Sequence, residues 1–352
     1  MNEITTVGVD LAKNLIVVSG ASQSGRGMAF KQFSFRGFGE WASNLPPCTI
    51  GMEACGSAHY WARRLSGYGH TVRLMAAEHV KPFRKSQAAK NDRNDAEAIL
   101  TAVRQSNMRF VAVKSADSQA MLAWHRVRQG FSTERTALIN RARGLLAEFG
   151  VWLGQSPQAL KQALSQLQTD ERLPQRFRPL LLQMLEHLQT LEARIEQCEL
   201  EIRAHAKQSE DAQRISALIG IGPITSSAVV ATVGRGQDFK NGRQLAAWMG
   251  LVPKQKSSGG KERLGAISKR GDAYLRGLLT QGARSTLLTA QRRAPEKRSR
   301  LERWIIELAQ RIGYHKTLIA IANKHARIIW AILASGEHYD PHAWQRYEGQ
   351  TT

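Results

Sequence analysis

The stretch TTVGVDL (residues 5–11) decides the amino-terminal half of this chain: a short β-branched run that closes on an acid, Asp10. CTIGMEA (residues 48–54) repeats the arrangement and closes on Glu53. Two further acids, Asp92 and Asp95, stand i, i+3 in KNDRNDAEA (residues 90–98), a spacing that puts both on one face of a helix. Each of the first two carboxylates lies where an apolar segment ends. Carboxylates supplied by separate elements suit Mg²⁺, which takes oxygen ligands in near-octahedral geometry. A pair of such ions serves phosphoryl transfer by activating a nucleophile on one side of a phosphate and stabilising the leaving oxygen on the other. Taken singly, Asp92 also reads as a helix cap and Glu53 as a solvated strand end.

Around these acids the predicted elements alternate. TTVGVDL, NLIVVSGA (14–21) and MAFKQFSF (28–35) read as hairpin-linked strands. FGEWASNL (38–45) reads as a short helix ended by Pro46-Pro47, followed by the CTIGMEA strand, a helix over 57–69 and a strand over 71–77. Three hairpin strands followed by strand–helix–strand is the order of a ribonuclease-H-like α/β layer, with Asp10 on the central first strand. From 116 to 150 the pattern turns helical, with Leu122, Val127, Leu138, Leu145 and Leu146 on one face. A second helix is predicted over 180–207. Its apolar residues Leu181, Met184, Leu188, Leu191, Ile195, Cys198 and Ile202 alternate in steps of three and four, the seam either of a coiled coil or of a helix inside a bundle. The Gln-rich stretch between Pro157 and Pro179 reads as a linker.

The charge balance identifies the partner. The 352 residues carry 50 Lys+Arg against 29 Asp+Glu, a net of +21, and residues 240–300 alone hold 15 basic and 3 acidic residues. Such a field attracts phosphate backbones and makes binding salt-dependent. No run approaches a spanning helix, so no membrane is expected, and MNEITTVGVD carries no secretory signal. Three cysteines without a C-x-x-C point to a reducing cytoplasm.

Two carboxy-terminal features complete the reading. ISALIGIGPITSSAVVATVG (215–234) breaks at Gly220-Ile-Gly222-Pro223, as a helix–hairpin–helix whose turn faces a phosphate, or as a plain αα-hairpin. KQKSSGGKERLG (254–265) is a loop whose glycines, Gly259 among them, permit close approach to a phosphate. Lys254, Lys256, Lys261 and Arg263 stand ready to neutralise it, with Lys269, Arg270 and Arg276 downstream. A serine within such a ring is a candidate nucleophile, and Ser257, Ser258 and Ser268 are equivalent on composition.

GVDLAKN (8–14), GMEACGSAHYWAR (51–63), KNDRNDAEAI (90–99), LIGIGPITSSAVVA (218–231) and LAAWMGLVPKQKSSGGKERLGAISKRGDAYLR (245–276) together resemble the transposases of bacterial insertion-sequence family one-ten, the last segment its eleven-eleven subgroup. The resemblance covers roughly residues 5 to 335. It implies a RuvC-like (RNase-H-like) α/β DEDD catalytic domain over 1–115 and a helical coiled-coil oligomerisation region over 116–208. A mainly α transposase domain with a helix–hairpin–helix and a nucleophilic serine follows over 209–335, then a tail over 336–352. It places the tetrad on Asp10, Glu53, Asp92 and Asp95 and the serine on Ser258, in the P-x-x-x-x-S-G pattern from Pro253. It further implies Mg²⁺ (or Mn²⁺ as substitute), donor and target DNA, a structured bridge RNA as guide, and a tetramer built as a dimer of dimers with active sites shared between subunits. The alternative activity is a RuvC-type endonuclease that hydrolyses DNA with water.

Overall fold

The computed structural model describes residues 4–24, 27–84, 91–154, 156–167, 170–257, 260–261 and 263–340. Contacts divide the chain into two units, residues 1–119 and 120–352.

The first unit is a three-layer α/β/α arrangement. Its sheet comprises β1 (Ile4–Leu11), β2 (Ile16–Ser22), β3 (Gly27–Phe33), β4 (Thr49–Glu53), β5 (Thr71–Met75) and β6 (Phe110–Val111), in the order β3-β2-β1-β4-β5-β6. The first three strands form an antiparallel meander, and β1, β4 and β5 run parallel. β6 is a two-residue antiparallel edge absent from the sequence expectation, too short to leave a pattern. Strand side chains alternate between faces. Val7, Val9, Ile50 and Met52 therefore share one face, where they pack with Phe38 of α1 (Phe35–Ser43) and Trp61 and Leu65 of α2 (Ala58–Gly67).

The opposite face carries Gly8 and Gly51, which are register partners on β1 and β4. Against them lies α4 (Asp92–Val103), which follows α3 (Ala77–Val80) and the 3₁₀ turn Lys81–Phe83. A Cβ on Gly8 would lie 2.5 Å from the Ala96 carbonyl oxygen and 2.8 Å from Leu100 Cα; one on Gly51 would lie 2.7 Å from Val103 Cβ. The helix backbone thus rests directly on the sheet at Gly8, and the Val103 side chain fills the space left at Gly51. Ile99, Ala102 and Val103 then pack with Met75 and Val80.

The second unit is helical. It contains α5 (Ala116–Ala147, whose first turn holds the division), α6 (Pro157–Gln166), α7 (Arg178–Gln208), α8 (Glu210–Ser216), α9 (Pro223–Val233), α10 (Gly242–Trp248), α11 (Ala273–Arg292), α12 (Arg300–Ile312) and α13 (Tyr314–Ser335), plus a hairpin of β7 (Pro253–Gln255) and β8 (Leu264–Ile267). Four expectations change here. The stretch read as a linker holds α6, which buries Leu160 and Leu164 against Leu138, Leu146, Leu181 and Leu188. The ends of the expected loop 254–265 belong to strands β7 and β8, which pair antiparallel. Val127 is 45 % exposed, because at 100° per residue the interior position on that turn belongs to His125. Finally, α13 is long and apolar enough to cross a membrane by length and composition alone, although polar residues break its run. It instead lies in the core, with Leu318, Ile321, Ala326 and Ile329 buried among residues of α10, α11 and α12.

The apolar seam of α7 is covered within the chain, as in a bundle: all seven residues are buried. Around its carboxy-terminal part runs a polar chain. Arg128 holds Glu199 through Nε and Nη2, at 2.9 and 2.6 Å. Tyr274 lies 2.9 Å from His125 Nδ1, His125 Nε2 lies 3.0 Å from Ser227 Oγ, and Ser227 Oγ lies 2.9 Å from His205 Nδ1. All pairs close when each hydroxyl donates onward, Tyr274 to His125 and Ser227 to His205, with His125 Nε2–H donating to Ser227. Burial, then the nearby Arg128 charge and His205, push the His125 imidazole down to about 4.

Replacing Ser227 with Ala strands a ring nitrogen of the buried His125 and one of the half-buried His205, and we expect a loss of about 1–3 kcal/mol in urea unfolding. His125 is neutral in the fold and its folded value lies below the ordinary 6.5, so its contribution is complete above that value. It is lost as pH falls from 6.5 towards 4, and the unfolding midpoint should follow. In the first unit, Gly8→Val should cost at least about 2 kcal/mol by forcing α4 off the sheet, read by the same unfolding experiment.

Candidate active site

The alternation that sends Val7, Val9 and Met52 to one face sends Asp10 and Glu53 to the other, the face of Gly8, Gly51 and α4. Both acids lie one residue beyond the last registered pair, Val9 and Met52, at the carboxyl ends of adjacent parallel strands. Since Gly8 touches Ala96 of α4, the first turn of that helix is carried over the same strand ends. There it delivers Asp95, 7 % exposed, and Asp92, which is exposed. The helix cap is Asn91, whose side chain accepts from the Asn94 N–H at 2.8 Å. Asp92 is the first helical residue and does not cap, contrary to its single-residue reading.

The other three carboxylates are close enough for Asp10 to feel each of them. Burial first, then the charges of Asp95, Glu53 and Asp92, push the Asp10 carboxyl up to about 6, with Arg84 opposing. Arg84 was not singled out from the sequence, where it is one of several cations in an aperiodic stretch. It enters the cluster between two acids, with Nε 2.9 Å from Asp95 Oδ1 and Nη2 3.4 Å from Glu53 Oε1. Cys55 also borders the site: desolvation, then Glu53 and Asp10, hold its thiol above the ordinary range.

The donor set suits a hard cation: four carboxylates, oxygen only, with excess negative charge. Among the described residues no three metal-ligating side chains stand close enough to share one ion as placed. Arg84 is the cation that bridges Glu53 and Asp95, occupying the position a shared ion would neutralise.

The remaining predicted site residues lie in the second unit. Ser258 and Gly259 fall outside the described residues. Their neighbours Lys254, Lys256, Lys261 and Arg263 are exposed on or beside the β7–β8 hairpin, where Ser257 Oγ accepts from the Arg263 N–H at 3.2 Å. Lys269 and Arg270 are exposed, whereas Arg276 donates to the carbonyls of Met249 and Arg270 at 3.0 and 3.1 Å and so braces the turn below the hairpin. Gly220 adopts φ +86° and packs on the backbone of Gly282, with no room for a Cβ. Gly222 is the exposed residue preceding α9.

A sheet with acids at its parallel strand ends under a capping helix, joined to a basic helical unit, defines a class of nucleic-acid-processing enzymes. Comparison with known proteins narrows the class. Residues 7–150 match a transposase family model of DEDD type, and residues 212–299 match the model described as "Transposase IS116/IS110/IS902 family". A probable family 20 transposase of Pseudomonas aeruginosa is 45 % identical over 96 % of this chain and 99 % of its own length. The transposase for insertion sequence element IS1111A of Coxiella burnetii is 37 % identical, covering 96 % and 92 %. That for IS1328 of Yersinia enterocolitica is 37 % identical, covering 96 % and 98 %. The chain belongs to the IS116/IS110/IS902 transposase family and is accordingly an enzyme that cleaves and recombines DNA.

The electrostatics give a direct test. Because the folded value for Asp10 lies above the ordinary 3.8, the native state keeps this proton to higher pH than the unfolded chain does. Its contribution therefore falls as pH rises from 3.8 to about 6 and is level beyond. In metal-free buffer at pH 7, Asp10→Asn should stabilise the protein by about 1–2 kcal/mol after allowance for solvent screening. Near pH 4 the two forms should melt together in calorimetry.

Proposed function

We propose that the chain is an RNA-guided DNA recombinase that exchanges strands through a covalent phosphoserine intermediate. The observation that carries the catalytic half is the placement of Asp10, Glu53, Asp92 and Asp95 around one end of β1 and β4, where burial first and then the other three acids raise Asp10 to about 6. Asp10, Glu53, Asp95 and Asp92 would hold Mg²⁺, or Mn²⁺ in its place, with Arg84 displaced or shifted. Bound there, the ion supplies Lewis-acid stabilisation of charge on the scissile phosphate.

Ser258 is the proposed nucleophile. Its Oγ forms a bond to phosphorus as the bond from phosphorus to the leaving sugar oxygen breaks, and the serine proton ends in solvent or on that oxygen. A hydroxyl of the incoming strand then attacks the phosphorus and releases the serine. Support comes from the P-x-x-x-x-S-G pattern at Pro253 and from the exposed cations of the hairpin, Lys254, Lys256, Lys261 and Arg263, which would neutralise the phosphate. Gly220, Gly222, Gly259, Lys269 and Arg270 complete the proposed nucleic-acid surface. Arg276, held by two carbonyls, serves it by bracing the turn.

The bridge RNA, the pairing of that RNA with donor and target DNA, and the tetramer rest on family resemblance. With sequence choice delegated to base pairing, the protein needs mainly to grip backbones, which the excess of cations over residues 240–300 suits. Trapping on a suicide DNA substrate tests the mechanism. Wild type should form a denaturation-resistant protein–DNA adduct, and Ser258→Ala should form none. Asp10→Ala should reduce adduct formation at least about 10²-fold while RNA binding persists. An adduct in Ser258→Ala moves the nucleophile to another side chain, and cleavage by wild type with no adduct at all replaces it with water; either result overturns the Ser258 mechanism.

A further inference from the structure

A second concentration of unneutralised charge involves other residues than those of the hairpin. α10 meets α13 with almost no separation: a Cβ on Gly242 would stand 2.8 Å from Arg327 Cα. Beside this crossing opens a cavity of about 460 Å³, lined by Asn241, Arg243, Lys324, Arg327 and Ile328, with Trp330 at its edge. Lys324, Arg327, Ile328 and Ala331 recur at i, i+3, i+4 and i+7, so one face of α13 forms a wall. The volume falls in the range of nucleotide-sized sites.

The wall is rigid. Trp330 Nε1–H donates to the carbonyls of Gly236 and Phe239, at 3.1 and 3.0 Å, which closes the turn leading into α10. Gly236 holds φ +70° against that indole. The Asn241 side chain accepts from the Gln244 N–H at 3.0 Å and fixes the start of α10. Lys324 Nζ sits 4.6 Å from the centre of the Trp304 ring, so its ammonium is positioned by the aromatic face.

The charges are uncompensated. Among the described residues, Arg243, Lys324 and Arg327 pair with no carboxylate. Burial, then Arg327 and Arg300, lower the Lys324 ammonium from its ordinary value. Packed like charges that no acid relieves are a cost to the fold, and an anion removes it. Forked guanidinium donors beside the aliphatic Ile328 and Ala331 suit a phosphate joined to a sugar better than a bare ion.

We propose that this cavity between α10 and α13 binds a phosphodiester of a nucleic-acid backbone through Arg243, Lys324 and Arg327, residues distinct from the cations of the β7–β8 hairpin. The inference uses only the family's action on nucleic acid. It stands whether or not the serine and carboxylate reading holds, because its tests measure binding without divalent ion.

Short fluorescein-labelled oligonucleotides of unstructured sequence, as RNA and as DNA, are titrated by anisotropy across a salt series. Arg243 and Arg327 are exposed, so R243E/R327E should melt as wild type does. It should lower the slope of log K against log salt by about 2 and the affinity at moderate salt by roughly tenfold or more. Loss for RNA alone assigns the backbone to RNA, loss for DNA alone to DNA, and loss for both to a shared site. Each supports the proposal. Wild-type slope and affinity on both overturns it. A footprint on the unmodified protein guards against misfolding: either oligonucleotide should slow acetylation of Lys324 by an N-hydroxysuccinimide ester. Unchanged modification at Lys324 under saturating concentrations of both overturns the proposal independently.

Discussion

Everything in the candidate active site depends on the absence of two side chains. Gly8 and Gly51 lie side by side on adjacent parallel strands, and α4 rests directly on them. That contact sets the height of the helix above the sheet and, through the helix, the position of Asp95 over the ends of β1 and β4. The acids themselves oppose the arrangement, since their mutual repulsion adds to the desolvation of Asp10. Burial of Ile99, Ala102 and Val103 with Met75 and Val80 holds them together regardless. Packing energy is thus used to sustain an electrostatic conflict, which a cation would relieve.

Arg84 fits the same logic from the other side. Its guanidinium spans Glu53 and Asp95 with three carboxylates in its field, so the site is partly neutralised by the chain itself. Removing the arginine would deepen the negative potential and make a divalent ion more welcome, while leaving the strand ends less stable without one.

Much of this was legible in the sequence for a simple reason: a strand's ends and faces are local properties. Asp10 and Glu53 closed apolar runs, and a period of two fixed which face they share. Asp92 and Asp95 were legible as a pair, but the cap one residue upstream, Asn91, was not assigned, because Asn-Asp-Arg-Asn-Asp offers several side chains capable of the task. The meaning of Gly8 and Gly51 depends on register between strands about forty residues apart, which no local pattern encodes. The same holds for His125, whose partners stand 149 and 102 positions away. The strands of the serine hairpin escaped notice because three and four exposed residues carry no alternation of burial. α6 was hidden by glutamines that crowd its solvent side while Leu160 and Leu164 supply a buried stripe only two turns long.

The long helix α5 joins two interiors of the second unit, and α7 spans the same two, giving Leu181 and Leu188 to one and Glu199 and His205 to the other. His125 belongs to the polar chain with Ser227 and Tyr274, and Leu146 to the leucine cluster with α6 and α7. At 1.5 Å per residue they are separated by roughly 30 Å of unbroken helix. Such a strut measures angle as well as distance. One inserted residue would turn the leucine cluster by about 100° relative to the histidine and tear one of the two interiors open. Seven would nearly restore the phase while lengthening the strut by about 10 Å. Because α7 is tied to α5 in both interiors, any such change of length must be matched in α7, so the two helices act as a paired vernier on the architecture they span.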